Sequence, residues 1–454
     1  MKRLLTLALA VAMLLTVAAG CGGAPANSQD SSAATTQEAS KSDGAVKAAA
    51  PVEITVPTYR IGENVGAKFF LPQVERFNKK YEGKYKLTLE EVPQDSYNDK
   101  IKQLYQQNML PPLIQGGDKD WINQVVIPNK KYYNLAGWLD GKPDLKARLI
   151  PDSLAYGTKN GEVVALPLIT SRPIGLFYNS TMMQPSKGIG QMTWDEFDAA
   201  LGSNKIAFMT SENAWTTQLF LSALIVKNGG ADLLRKGASE ERISDFSSDV
   251  WVNSFADLQK YLQKYASANT LGAAYADAAN CFMSKQAALI LNGSWMVGDF
   301  KAPDKWSNGF DGEQAKGDIY PGNVAFDNLY GYWWWIPSGL PQEQTEAALA
   351  FLEFVASPEE VEGFQLAEGG VAPKMTMSDG YRAELAKDRI LSELNSAVND
   401  KTIIVPSFSD AVVTAVGDTQ GAFPTTLPKL IDGSMTPKQF ADEMTKKAGE
   451  AAKQ

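Results

Sequence analysis

Apolar and polar positions divide the chain into alternating strands and helices. Residues 52–56 (VEITV) alternate with a period of two, the pattern of a strand with one buried face, and Pro57 is expected to end it. Residues 67–81 carry Phe70, Val74 and Phe77 at helical spacing. Residues 85–89 (YKLTL) alternate again. Residues 96–109 read as a second helix closed by Pro111-Pro112, and 113–115 as a short strand opening into Gly116-Gly117-Asp118. Strands that alternate with helices predict a parallel sheet. Further on, Lys285 begins a short helix end, and residues 287–291 (AALIL) form an apolar run too short for a long helix, so a buried strand is expected. Asn292-Gly293 is a turn signal that delivers Ser294 and Trp295 to the strand's exit. Open α/β sheets bind ligands outside the carboxyl ends of their strands. Trp295 therefore stands where a ligand would; a core tryptophan after a turn is an equally good reading.

Helix starts are written just as locally. In MTWDEF (192–197), Thr193 is an N-cap, Glu196 completes a capping box, and Met192 with Phe197 forms a hydrophobic staple. Trp194 is then a core or helix-start residue. Ser357-Pro358-Glu359-Glu360 and Thr436-Pro437-Lys438-Gln439 repeat the signal. Asn213-Ala214-Trp215 precedes an apolar helix ending at Gly229-Gly230. Residues 324–336 read as a strand carrying Tyr330, Tyr332, Trp333, Trp334 and Trp335. On a strand, Trp333 and Trp335 would share one face and Tyr332 and Trp334 the other. Only one of these sets can line a cleft, and the pattern does not say which.

Composition narrows the function. With 454 residues the chain is long enough for two lobes. Lys plus Arg total 43 and Asp plus Glu 52, a formal charge of −9, which argues against a nucleic-acid partner. Histidine is absent. That removes Ser-His-Asp and Cys-His catalysis and imidazole-bound zinc together. No metal site, cofactor or catalytic residue is expected. Carboxylate-only chemistry survives this exclusion; Asp118, Glu212 and Asp299 are the groups it would draw on, and nothing in the sequence pairs them.

The first 20 residues form a targeting segment: Lys2 and Arg3, an apolar run over 4–17, then Ala18-Ala19-Gly20 before Cys21. Small residues followed directly by cysteine resemble a bacterial lipobox, which implies cleavage before Cys21 and acylation, such as palmitate, on it. An ordinary secretory signal beside a chance cysteine is the alternative. Residues 21–51 then hold the lipidated cysteine and a tether rich in Gly, Ala, Ser and Thr, with a flexible-coil reach of about 30 Å. Cys281 is left over and reads as a small buried residue.

The stretch FMSKQAALILNGSW (282–295), the Gly-aromatic run YGYWWWIPSG (330–339) and the helix after it resemble the extracellular solute-binding proteins of ABC importers, in their carbohydrate-binding, maltodextrin-binding-like branch. GEVVALP (161–167), LFYN (176–179), Tyr97 with Lys100, and GGVAP (369–373) resemble further segments of that family in the same order. The resemblance covers about residues 52–445. It implies an α/β, two-lobed periplasmic-binding-protein-like fold, each lobe a mostly parallel sheet flanked by helices, joined by a multi-segment hinge. The N-terminal lobe would be 52–170 with 332–372, the C-terminal lobe 171–331 with 373–454, and the first crossing would lie at 168–175. It implies no enzyme activity. It implies a monomer lipid-anchored at the extracellular face of the cytoplasmic membrane, capturing a carbohydrate and delivering it to the permease subunits of an ABC importer. The expected ligand-binding residues are Tyr59, Arg60, Asp118, Arg172, Trp215, Trp295, Tyr332 and Trp333, rings stacking on the sugar's C–H face and polar groups bonding its hydroxyls. The alternatives are a carboxylate-dependent carbohydrate-active enzyme, or the same fold taking a non-sugar solute or acting as a sensor. Arg60 and Arg172, if both reach the cleft, favour an anionic or uronic ligand over a neutral sugar.

Overall fold

A computed structural model describes residues 50–453 apart from 63, 65, 173, 301–311, 328 and 400. The signal segment, Cys21 and nearly all of the tether lie outside the described residues. The strand Val52–Thr58 pairs in parallel with Tyr85–Glu91, and the helix Ala67–Lys80 connects them. The first strand does not stop at Pro57. Val52 N–H donates to Lys84 O and Thr58 O accepts from Val92 N–H. Even-numbered residues thus face the partner strand, and the donor that Pro57 lacks would point away from it.

Apolar side chains gather into clusters belonging to two lobes. In the first lobe, Ile54, Phe70, Phe77 and Leu87 pack with Ile336, Phe351 and Leu352. Beside them Tyr97, Ile114 and Ile122 pack with Tyr332 and Trp335. In the second lobe, Leu176, Phe220, Phe255 and Leu291 pack with Phe408 and Phe440, and Phe177, Phe282 and Ile290 pack with Ile390. Met375 and Met377 still pack on the first lobe, whereas Leu385 packs on the second.

The second lobe's main sheet runs in the order Ile206–Ala207, Leu289–Asn292, Gly175–Asn179, Ala315–Asp318. The first two strands are parallel, but Gly175–Asn179 is antiparallel to both neighbours. The sheet is thus mixed rather than mostly parallel. Gly175–Asn179 arrives from the other lobe, not through a helix packed on this sheet, so the crossover that aligns neighbouring strands does not act on it.

The aromatic run departs from strand geometry. Val324–Phe326 and Trp334–Trp335 are strands, and the chain between them bends. Tyr332 and Trp335 therefore enter one cluster, while Trp334 packs on Phe70 and Phe351. Alternation holds only where a ladder fixes the pleat, and this segment leaves one lobe's ladder for the other's.

Local helix signals are realised. Thr193 Oγ1 accepts from Glu196 N–H at 3.2 Å and Glu196 Oε2 from Thr193 N–H at 2.8 Å. Thr436 and Gln439 form the same box. Ser357 caps its helix, but the Glu360 carboxylate turns to Arg76, at 2.7 Å from both Nε and Nη2.

Candidate functional site

Segments that link the lobes are tied to one another. Ser171 and Val371 exchange two backbone hydrogen bonds, each 2.8 Å, and Ile174 and Phe326 exchange another pair. Ser171 Oγ donates to Asp327, which also faces the Arg172 N–H. Gly370 has φ +119°, and a Cβ there would stand 2.6 Å from Thr170 Cγ2, so only glycine fits this approach.

Arg172 projects from this junction into a ring of aromatics. Its Cζ lies 5.4 Å from the Trp295 ring centre, 5.9 Å from Trp333 and 5.3 Å from Phe364. Nη1 meets Glu368 Oε2 at 3.3 Å. Burial holds the guanidinium below its ordinary value, against the pull of Glu368. Trp295 and Trp333 come from opposite lobes, so the guanidinium bridges the two.

Trp295 lies in the turn Ser294–Met296 that follows Leu289–Asn292, at the strand's carboxyl end. Its indole lies across Gly293, where a Cβ would stand 2.2 Å from Cη2 and Cζ3. Ser294 Oγ donates to Glu368 O, fixing the turn to the helix that carries Phe364. Trp295 then meets Trp215 at 5.8 Å, and Trp215 meets Tyr275 at 5.5 Å. Trp215 opens the helix Trp215–Lys227 behind Ala214, a buried non-glycine residue at φ +53°. Glu212 is left-handed too, at φ +54°. Strain of this kind persists where surrounding packing over-determines it, often at binding sites.

Across the cleft, Tyr59 packs edge-on to Tyr97 at 5.4 Å. Arg60 follows, its Nε and Nη2 at 3.2 and 3.3 Å from the Gln115 amide oxygen once that amide is turned to face it.

Asp118 and Tyr332 sit differently from the others. Asp118 caps the turn at Lys119–Trp121 through the N–H groups of Asp120 and Trp121, and pairs with Lys102 at 2.6 Å. Burial pushes its carboxyl up, but these partners bring it below the ordinary value. The Tyr332 hydroxyl donates to Asn123 Oδ1 at 2.6 Å and its ring packs on Tyr156. Both residues still border a cavity of about 230 Å³ between the lobes, with Asn98, Asn213, Tyr330 and Trp333.

Around that cavity the lobes touch directly. Thr414 N–H donates to Asp120 Oδ2 at 2.8 Å, and its hydroxyl reaches the same oxygen at 2.8 Å. Arg242 Nε pairs with Asp120 Oδ1 at 3.2 Å. Lys119 Nζ donates to Ala238 O at 2.9 Å and Asp410 O at 3.2 Å, and burial pushes its ammonium down to about 7. Near Trp295, Lys68 pairs with Asp299 across the lobes at 2.5 Å. A larger cavity, about 460 Å³, lies by Phe208, Leu271 and Cys281 and draws on one lobe alone. Burial raises the Cys281 thiol.

The structure thus brings Arg172, Trp295, Trp333 and Trp215 into one aromatic cluster, with Tyr59 and Arg60 on the facing lobe. Sequence reasoning missed Gln115, Tyr275, Phe364, Glu368, Arg242 and Thr414.

A family model for the bacterial extracellular solute-binding protein matches residues 73–388. The chain belongs to this family. A search of curated protein sequences found no match. Among solved structures, this solute-binding protein is similar to a chitin oligosaccharide binding protein (17% identity, TM-score 0.72, 89% of this chain and 100% of that one). It is also similar to the maltose/maltodextrin-binding domain MalE from Bdellovibrio bacteriovorus bound to maltotriose (15%, TM-score 0.65, 89% and 100%). A third likeness is to the solute-binding protein RafE in complex with raffinose (16%, TM-score 0.65, 88% and 99%). At these identities the likeness establishes the two-lobed fold. Among the described residues no helix is long and apolar enough to cross a membrane, and no group of three or more Cys, Asp or Glu side chains is placed to hold a metal ion.

Proposed function

We propose that this solute-binding protein captures a carbohydrate between its lobes and delivers it to an ABC importer, held to the outer face of the membrane by a lipid on Cys21. The observation that carries this reading is the aromatic cluster around Arg172. Trp295 and Trp333 offer ring faces from opposite lobes, and a guanidinium between them offers hydrogen-bond donors. Flat apolar faces beside polar groups match a sugar's C–H face and hydroxyl rim. The similar structures named with chitin oligosaccharide, maltotriose and raffinose support the same ligand class. Tyr59, Arg60, Trp215 and Tyr275 are proposed to complete the site. Asp118 and Tyr332 are proposed to border it, because protein partners already engage their polar groups.

We place the lobes at 52–170 with 332–372 and at 171–331 with 373–454. Met375 and Met377, just past the last of these boundaries, still pack with the first lobe, so the chain leaves that lobe gradually there. The protein acts as a monomer and without catalysis in this reading: the Glu368 carboxylate in the aromatic cluster is paired to Arg172.

A thermal-shift screen of the full-length protein against mono- and oligosaccharides, with amino acids and polyamines as controls, tests the reading. Ligand at 100-fold its Kd adds about 2.7 kcal/mol to stability. A rise in Tm with one saccharide class supports it; a rise with a control alone moves the fold to another solute. Cys21→Ser should release the protein from membranes if the lipid is its anchor.

A further inference from the structure

The cavity of about 230 Å³ and the aromatic cluster meet at one side chain. Trp333 lines the cavity, and its ring centre lies 5.9 Å from Arg172 Cζ inside the cluster. Trp295 and Arg172 stand outside the cavity's walls. A sugar ring on Trp295 and Trp333 thus has a second compartment adjoining it, with room for one further ring. The polar groups of that compartment decide what the further ring can be.

Charged groups in its wall already have protein partners. Asp118 pairs with Lys102 at 2.6 Å and Arg242 with Asp120 at 3.2 Å. Lys119 Nζ donates to two backbone carbonyls, and Asp410 accepts from Ser407 Oγ at 2.6 Å. Hydrogen-bonding capacity is open at three other side chains. Asn98, in the first turn of the helix Tyr97–Gln106, spends its amide on no protein group among the described residues. Asn213, from the second lobe, accepts from the Trp215 N–H at 3.3 Å through Oδ1 and keeps its NH2 group for another partner. Asp418 accepts from the Thr419 N–H at 2.8 Å, and no lysine or arginine among the described residues pairs with it. Asn213 is also held from behind. Gln218, fully buried, donates through Nε2 to Asn213 O and, at 2.9 Å, to Gly417 O beside Asp418. Glu212 and Ala214, on either side of Asn213, are both left-handed. Surrounding packing over-determines this turn and so fixes where the Asn213 amide stands.

Two amide donors and a carboxylate acceptor match the rim of an uncharged sugar. The amides donate to hydroxyl or ring oxygens, and a hydroxyl donates to the carboxylate. A ligand carboxylate here would face Asp118, Asp410 and Asp418, with Lys119 and Arg242 engaged elsewhere. We propose that the ligand is a disaccharide or longer, with one ring on Trp295 and Trp333 and the next, uncharged, in this cavity, where Asn98, Asn213 and Asp418 select it by its hydroxyls. This rests on the carbohydrate reading above and adds the length of the ligand and the residues that read its second unit.

The test is calorimetric titration of the full-length protein with three monosaccharides and their oligomers: glucose, maltose and maltotriose; N-acetylglucosamine, chitobiose and chitotriose; galactose, melibiose and raffinose. Digalacturonate, an acidic dimer, completes the set. The expected result is binding of one neutral oligomer about tenfold or more tighter than of its monosaccharide. Asn213→Asp keeps the acceptor for the Trp215 N–H and removes the amide donor, and Asn98→Asp removes the other donor at the same size. Each should cut the margin to about threefold or less. Asp418→Asn keeps an acceptor for the Thr419 N–H and should lose part of the same margin. If each monosaccharide binds as tightly as its oligomers, if digalacturonate binds tightest, or if the margin survives in a folded Asn98→Asp or Asn213→Asp, the proposal falls while the carbohydrate reading stands. If nothing in the set binds, both fall. Melting curves establish folding; should one amide variant fail to fold, the other and Asp418→Asn decide.

Discussion

Asp120→Ala should open the cleft. One carboxylate there receives an ion pair from Arg242 at 3.2 Å and two hydrogen bonds from Thr414 at 2.8 Å, all from the other lobe. The Asp120 and Arg242 side chains are 19% and 12% exposed, so solvent screens the pair weakly. Hydrogen bonds to charged groups contribute about 1.5–3 kcal/mol each, and they do not add fully because the lobes reclaim water when they part. A net loss of about 2–3 kcal/mol from the closed form alone is a reasonable sum. That moves the closed-to-open ratio about 30- to 160-fold toward open. Small-angle X-ray scattering on the ligand-free protein reads the change directly, as a larger radius of gyration. Thr414→Val, which deletes the hydroxyl and keeps the N–H, should give a smaller step in the same direction. A scattering curve unchanged in both variants would refute the reasoning, since the contact would then contribute nothing to closure.

Four further outcomes are expected. Trp295→Ala removes a stacking face and should weaken saccharide binding about 30- to 160-fold, roughly 2–3 kcal/mol, by calorimetry. Gly293→Ala should weaken it too, since its methyl would stand where the Trp295 ring lies. Lys119 binds its proton less tightly when buried, at about 7, than in the unfolded chain, where the ordinary value is 10.5. The unfolded state then holds more protons between these values, so stability rises with pH from about 7 to 9, by up to about 1.4 kcal/mol per unit. Lys119→Met should flatten that slope in urea unfolding, and an unaltered slope would sink the assignment. Asp318→Ala removes the acceptor for the N–H groups of Ile189 (2.6 Å), Gly190 (3.2 Å) and Ile319 (2.7 Å) and should cost about 2–4 kcal/mol in the same assay.

Features legible in the sequence share one property: a few neighbouring residues decide them. The box at Thr193 and Glu196 is closed by two hydrogen bonds across three residues, so its letters suffice. Trp295 was locatable because a buried strand and a turn signal precede it directly. Tyr332 was not, because period-two reasoning assumes a ladder, and the chain at Gly331 has none. Gln115, Glu368 and Thr414 were out of reach for another reason. Each matters through a partner far along the chain: Arg60, Arg172 and Asp120. Nothing within a short window tells a surface threonine from one that joins two lobes. The antiparallel run of Gly175–Asn179 belongs with these, since its direction follows from where the chain enters the lobe.

The most direct test is a crystal structure of the protein with the saccharide that raises its melting temperature most. The account predicts a sugar ring stacked on Trp295 between the lobes, with an oxygen of the sugar within hydrogen-bond distance of Arg172. A saccharide bound instead in the cavity beside Cys281, with the aromatic cluster unchanged, would contradict it.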